Sequence, residues 1–178
     1  MKGNRLNRKL VHLALLAAVA SILFAVEELA SMPIPFFRLG LANAVTLLVL
    51  IGYGMPEALA VVALRVLVGS LLVGTLFQPN FFFSLSGGLA SALVMGGVLA
   101  VGARWFGLIG ISILGAFAKN SVQLLLAYVL WVRQSRLLSL LPLFLLLSIV
   151  AGTLVGLLTS ALLKKSGLIR FFRETRSA

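Results

Sequence analysis

The chain has 178 residues, of which 61% are hydrophobic and 11% charged. Its mean hydropathy of +1.16 excludes a water-soluble globule. A net charge of +11 would suggest nucleic acid in a soluble protein, but the basic residues cluster at the ends of apolar stretches, without the aromatic interleaving of a nucleic-acid-binding module. The chain has no cysteine, which removes disulfides, thiolate metal sites and cysteine nucleophiles from consideration.

Lys2, Arg5, Arg8 and Lys9 precede the first apolar stretch, and His12 lies among them. These residues predict an anchor at the membrane boundary that meets anionic lipid heads, with no catalytic or metal role for the histidine. The run from Leu10 to Ala30 exceeds the roughly 7–15 residues of a signal-peptide core, so a membrane helix is expected here instead. Ala14 and Ala18 form a small-residue pair on this helix, suited to close approach by another helix.

Further apolar stretches follow at about 39–54, 57–77, 83–103, 107–131 and 138–163. With the first, at about 10–30, they predict an all-α membrane protein of six transmembrane helices in one integral domain, residues 1–178. The second stretch is short, carries Asn43 and is bounded by Gly52 and Gly54, which leaves a tilted, kinked or re-entrant helix open. Pro33 and Pro35 hold the segment before it extended, and Pro56 opens the third helix at its first turn.

Ser84, Gly88, Ala92, Gly96 and Ala100 recur at four-residue spacing on the fourth helix, as do Ser148, Gly152, Gly156 and Ser160 on the sixth. Both stripes predict tight helix packing. With six spans, ten of the fifteen Lys and Arg residues fall on the side of the two termini and the connections near residues 55 and 105. Arg38, Arg133 and Arg136 fall on the other side, which sets both termini of a multi-pass membrane protein in the cytoplasm.

Arg65 and Lys119 lie near the centres of the third and fifth stretches, where a charge costs about 2.5–3.5 kcal/mol on insertion scales. Ser112, Gly115, Ala116, Lys119 and Gln123 share one helix face, with Asn120 on its flank, and such a face turns inward. Arg38 faces Glu27 and Glu28 across the proline-rich turn, as a structural ion pair or as part of a cationic pocket. In the pocket reading, Arg38, Arg65 and Lys119 attract an anion whose oxygens arginine grips, while Asn43, Asn80, Ser84, Asn120 and Gln123 supply hydrogen bonds. Plain interhelical bonding is the other use of Asn43, Asn120 and Gln123. Phe36, Phe37, Phe77, Phe81, Phe82, Phe83 and Trp131 predict an interfacial aromatic belt that could also line a pocket for a partly apolar ligand.

The chain has no aspartate, no phosphate-binding glycine–lysine loop and no HExxH or GxSxG motif. Its four scattered glutamates do not make a magnesium–diphosphate site, so neither ATP hydrolysis nor prenyl transfer by this chain alone is expected. Binding and moving a solute is expected instead, without metal or cofactor.

The run Arg38-Leu39-Gly40-Leu41-Ala42-Asn43, after Pro33-Ile-Pro, and the run Ser86-Gly87-Gly88-Leu89-Ala90-Ser91 resemble substrate-binding S components of energy-coupling factor (ECF) vitamin transporters. The closer resemblance is to the Gx transporter family, also called heptaprenyl diphosphate synthase component I. That resemblance implies six helices, inside termini and a pocket opening outward. It also implies as partners a transmembrane coupling (T) subunit, met through Ala14 and Ala18, and a pair of cytoplasmic ATPases. The solute it implies is small, anionic and partly apolar, vitamin-like or a precursor of isoprenoids or quinones. The alternative that the family name implies is a non-catalytic membrane subunit of a heptaprenyl diphosphate synthase.

Overall fold

The computed structural model describes residues 2–30, 40–102, 106–132 and 141–165. Six α-helices run through them: α1 (Lys2–Leu29), α2 (Ala42–Gly52), α3 (Met55–Val73), α4 (Pro79–Gly102), α5 (Leu108–Ala127) and α6 (Leu141–Lys165). A π-helical stretch, Tyr128–Val132, continues α5. No strand occurs among the described residues. Lipid leaves backbone N–H and C=O groups without water partners, and helices satisfy them internally.

Five helices are long and apolar enough to cross a bilayer, in the segments Asn7–Leu29, Met55–Val73, Pro79–Val101, Leu108–Leu130 and Leu141–Lys164. The protein is thus built as a multi-pass membrane protein. The second apolar stretch differs from the sequence expectation of 39–54. Its helix has only 11 residues, a rise of about 16 Å, against about 30 Å of hydrocarbon. It starts after Gly40, held at φ 76°, and stops at the Tyr53–Gly54 turn before Pro56.

Around α2 the long helices pack in the order α1, α3, α4, α5, α6, and α2 touches α1, α3, α4 and α6. All of its residues except Ile51 are buried. A helix that is apolar on every side suits such an enclosed position. Leu47, Val49, Val45 and Leu50 join Ala17, Ala20, Val61, Met95 and Ile111 in the main core.

Contacts at the two ends fix the level of α2. At one end Lys9 Nζ reaches Glu57 Oε1 at 2.5 Å and lies 5.9 Å from the centre of the Tyr53 ring. At the other, Asn80 Nδ2 donates to Glu28 Oε1 at 3.1 Å. Measured from the Lys9 end, Asn43 on α2 and Arg65 on α3 both stand about 15 Å along their helices, and they touch. The start of α2 therefore lies near the middle of the bundle's thickness. Gly74 closes α3 in the left-handed conformation at φ 75°, a geometry costly for a residue with a Cβ.

The small-residue stripe on α6 brings backbones together as expected, whereas on α4 Gly88 and Gly96 make room for the side chains of Val62, Arg65 and Met55. A Cβ on Gly152 would stand 2.5 Å from the Ile113 Cα, and one on Gly156 2.6 Å from the Ile109 Cα, so α6 lies directly on the α5 backbone. On α4, Ser84, Gly88 and Ala92 are buried toward the interior.

Candidate functional site

The buried half-helix leaves space between its start and the walls, and the interior charges collect there. One narrow cavity is lined by residues of α1, α3, α4 and α5 around the start of α2, among them Glu27, Asn43, Arg65, Ser84 and Lys119. A second, smaller one lies between α2, α5 and α6 and is lined by Asn43, Ser112, Ala116, Lys119, Asn120, Ala151 and Val155. Asn43 and Lys119 belong to both walls, so the cavities meet at these two side chains.

Arg65 is 4% exposed. Its Nη2 donates to Asn43 Oδ1 at 2.6 Å, while Nε and Nη1 have no hydrogen-bond partner among the described residues. Asn43 Nδ2 donates in turn to Ser91 Oγ at 3.4 Å. Gly88 is what lets the guanidinium lie against α4: a Cβ there would stand 2.9 Å from Val62 Cγ1 and 3.3 Å from Arg65 Nη2. Lys119, 8% exposed, brings its ammonium beside Gly40, where a Cβ would stand 3.3 Å from both Lys119 Nζ and Asn43 Nδ2. The positive φ of Gly40 thus serves a tight turn that has a cation packed against it.

Glu27 Oε1 accepts the backbone N–H of Leu41 just before α2. Its negative charge also acts on Arg65. First-turn N–H groups of a helix lack intrahelical acceptors, and their partial positive charge favours an anion at that place. At α2 the Asn43 and Ala44 N–H groups bond to Gly40 O and Leu41 O at 2.8 and 3.0 Å, so the Leu41 N–H is the one that meets an acid. Two cations, this helix start and one carboxylate share the cavity.

The remaining residues of interest divide between the two cavities and the helix interfaces. Ser84 lines the first cavity and donates to Asn80 O at 2.6 Å. Asn120, in the second, donates from Nδ2 to Ser148 Oγ at 2.7 Å, and the Ser148 hydroxyl donates in turn to Phe144 O at 2.6 Å. Ser148 has no further proton to give, so Nδ2 must face it, leaving Asn120 Oδ1 without a partner. Gln123 is buried and donates to Phe83 O at 3.0 Å from an α5–α4 interface, outside either lining. Asn80 holds Glu28 at the rim rather than lining a cavity.

Arg38, Phe36 and Phe37 lie outside the described residues, as does the Trp131 side chain. Of the other phenylalanines singled out, Phe81 and Phe83 are buried in helix packing, while Phe77 and Phe82 face outward. The aromatic ring in the first cavity belongs instead to Phe24, which also packs against Gly69. Sequence reasoning passed over Phe24 because one phenylalanine in an apolar helix carries no distinguishing signal. Gly88 had one, in the four-residue stripe. Ala14 and Ala18 face outward from the bundle, beside exposed Val11, Leu15 and Ile22.

Residues 16–162 match the family model described as heptaprenyl diphosphate synthase component I. Nothing matches among curated proteins or among solved structures.

Proposed function

Since the chain belongs to the heptaprenyl diphosphate synthase component I family, we propose that it is a non-catalytic membrane subunit that takes up a small anionic, partly apolar solute, acting as an S component of an ECF transporter. The observation that carries this reading is Arg65, buried at mid-thickness with two of its three guanidinium nitrogens unbonded in the wall of a cavity it shares with Lys119 and the start of α2. Polar and charged groups at such depth mark solute pathways. The starts of interrupted helices are a recurrent means of holding anions at the midplane of transporters. Phe24, Val66 and Ala42 give the same cavity an apolar side.

In this reading the protein sits in a prokaryotic plasma membrane with both termini in the cytoplasm and the cavity filled from outside. Arg65, Lys119, Asn43 and Ser84 hold the anionic head, with Asn120 behind them, and Arg38 adds a further cation; Asn80 and Gln123, engaged by Glu28 and the Phe83 carbonyl, support the walls rather than the ligand. The outward face of α1 around Ala14 and Ala18 receives the coupling subunit, and cytoplasmic ATPases supply energy. The family's description favours a second reading, in which the same cavity recognises a diphosphate handled by a soluble synthase chain.

The test uses the absence of native cysteine. Ser84→Cys places a single thiol in the cavity wall, and an anionic sulfonate thiol reagent should modify it faster than a cationic ammonium reagent of equal size. Faster reaction with the cation would refute an anion site. Recovery of coupling and ATPase subunits with the chain, and ATP-driven uptake in proteoliposomes of the ligand identified by mass spectrometry, support transport. Recovery of an aspartate-rich soluble chain without such uptake supports the second reading.

A further inference from the structure

Glu27 and Glu28 are consecutive on α1 yet are used differently. Glu28 is buried and accepts Asn80 Nδ2 at the rim. Glu27, about 100° further round the helix, lines the cavity with Arg65 and Lys119, and its carboxylate accepts the Leu41 N–H. A purely structural ion pair would join Glu27 directly to the guanidinium. Among the described residues the direct ion pair is Lys9–Glu57, while Arg65 donates to Asn43 and keeps Nε and Nη1 unbonded. Glu27 thus holds its carboxylate where the start of α2 and a half-satisfied guanidinium together favour an anion.

We propose that Glu27 is a tethered occupant of an anion subsite formed by the Leu41 N–H and Arg65, and that the carboxylate or phosphoryl group of the ligand displaces it on binding. This rests on the reading of the cavity as the ligand site. The exchange replaces one negative charge by another, so Arg65 keeps a negative charge in the same cavity in both states, unbonded to it without the guest and bonded to it with the guest. Displacement also breaks the link from α1 to the start of α2, so ligand binding is felt at the end of the helix whose outward face carries Ala14 and Ala18. The tether sets specificity as well: a neutral ligand cannot take the place of the carboxylate, and a weak anion competes poorly with it.

The probe is inorganic pyrophosphate, titrated by calorimetry against the purified full chain in neutral detergent at fixed ionic strength. Glu27→Gln keeps the acceptor for Leu41 and removes the competing charge. A tether that fills the subsite about nine-tenths of the time weakens apparent affinity about tenfold, so E27Q should bind about tenfold more tightly than the native chain. Glu27→Asp, with a shorter reach, should fall between them and serves if E27Q fails to fold. Glu57→Gln removes the same charge at the opposite end and should leave affinity within about twofold. Arg65→Gln should remove the gain in the E27Q background.

Equal binding by the native chain and E27Q, both dependent on Arg65, would overturn the tether and leave the anion cavity standing. Weaker binding by E27Q, or an equal gain from E57Q, would also overturn the tether. No pyrophosphate binding by either protein would overturn both the tether and the cavity reading on which it rests.

Discussion

Asn43→Ala removes the acceptor of the 2.6 Å bond from Arg65 Nη2, the guanidinium's hydrogen bond among the described residues. Two magnitudes compete. Interhelical hydrogen bonds between neutral groups in membranes contribute about 0.6 kcal/mol on average and at most about 1.7 kcal/mol. A bond to a charged group contributes about 1.5–3 kcal/mol, and a buried charge stripped of its partner costs about 3–5 kcal/mol. Because Arg65 is charged, 4% exposed and already holds two unbonded nitrogens, the larger range governs, and N43A should destabilise the bundle by about 2–4 kcal/mol. Arg65→Met in the N43A background removes the stranded charge and should recover at least half of the loss. The assay is a double-mutant cycle read by reversible unfolding in mixed micelles, following helix content against the mole fraction of denaturing detergent. A coupling energy at or below about 0.6 kcal/mol, or a double variant no more stable than N43A, would show that Arg65 is held by something other than Asn43 and would refute the argument.

Four other outcomes follow from the packing and surface charges. Gly152→Ala and Gly156→Ala place a Cβ against the Ile113 and Ile109 backbones, which cannot yield as side chains do, and each should cost about 1–3 kcal/mol in the same unfolding assay. Gly97→Ala has nothing within 4 Å of its new Cβ and should raise stability by about 0.4–1 kcal/mol. Glu57→Gln breaks the half-exposed ion pair with Lys9 for about 0–1 kcal/mol, and the difference from the native chain should shrink in high salt. Ala18→Trp adds bulk to an outward-facing position, so it should change unfolding by no more than about 0.5 kcal/mol, and if the proposed transport reading holds it should abolish recovery of the coupling subunit.

Much of the architecture was legible in the chain because bilayer physics leaves few options. Apolar length selects helices, and small residues at four-residue spacing mark backbone contacts, as Gly152 and Gly156 show against α5. Arg65 and Lys119 were legible as interior for the same reason: a charge at the centre of an apolar stretch is too costly to face lipid. The inward polar face of α5 was legible as well, since Ser112, Gly115, Ala116, Lys119, Asn120 and Gln123 are all buried.

Partnerships were not legible, because they depend on how helices far apart in the chain are turned and at what depth they stop. Gln123 reads as a pocket residue from its face, yet it is spent on the Phe83 carbonyl. Glu27 and Glu28 read as equivalent, yet a turn of about 100° sends one to the cavity and the other to Asn80. The amino-acid order alone determined that this protein lies in a membrane, is helical and carries two cations inside. Only the tertiary structure decided that α2 stops at half depth within the other helices, so that its start meets Arg65, Lys119 and Glu27. Hydropathy counts residues along one segment, whereas enclosure depends on the neighbours that surround it.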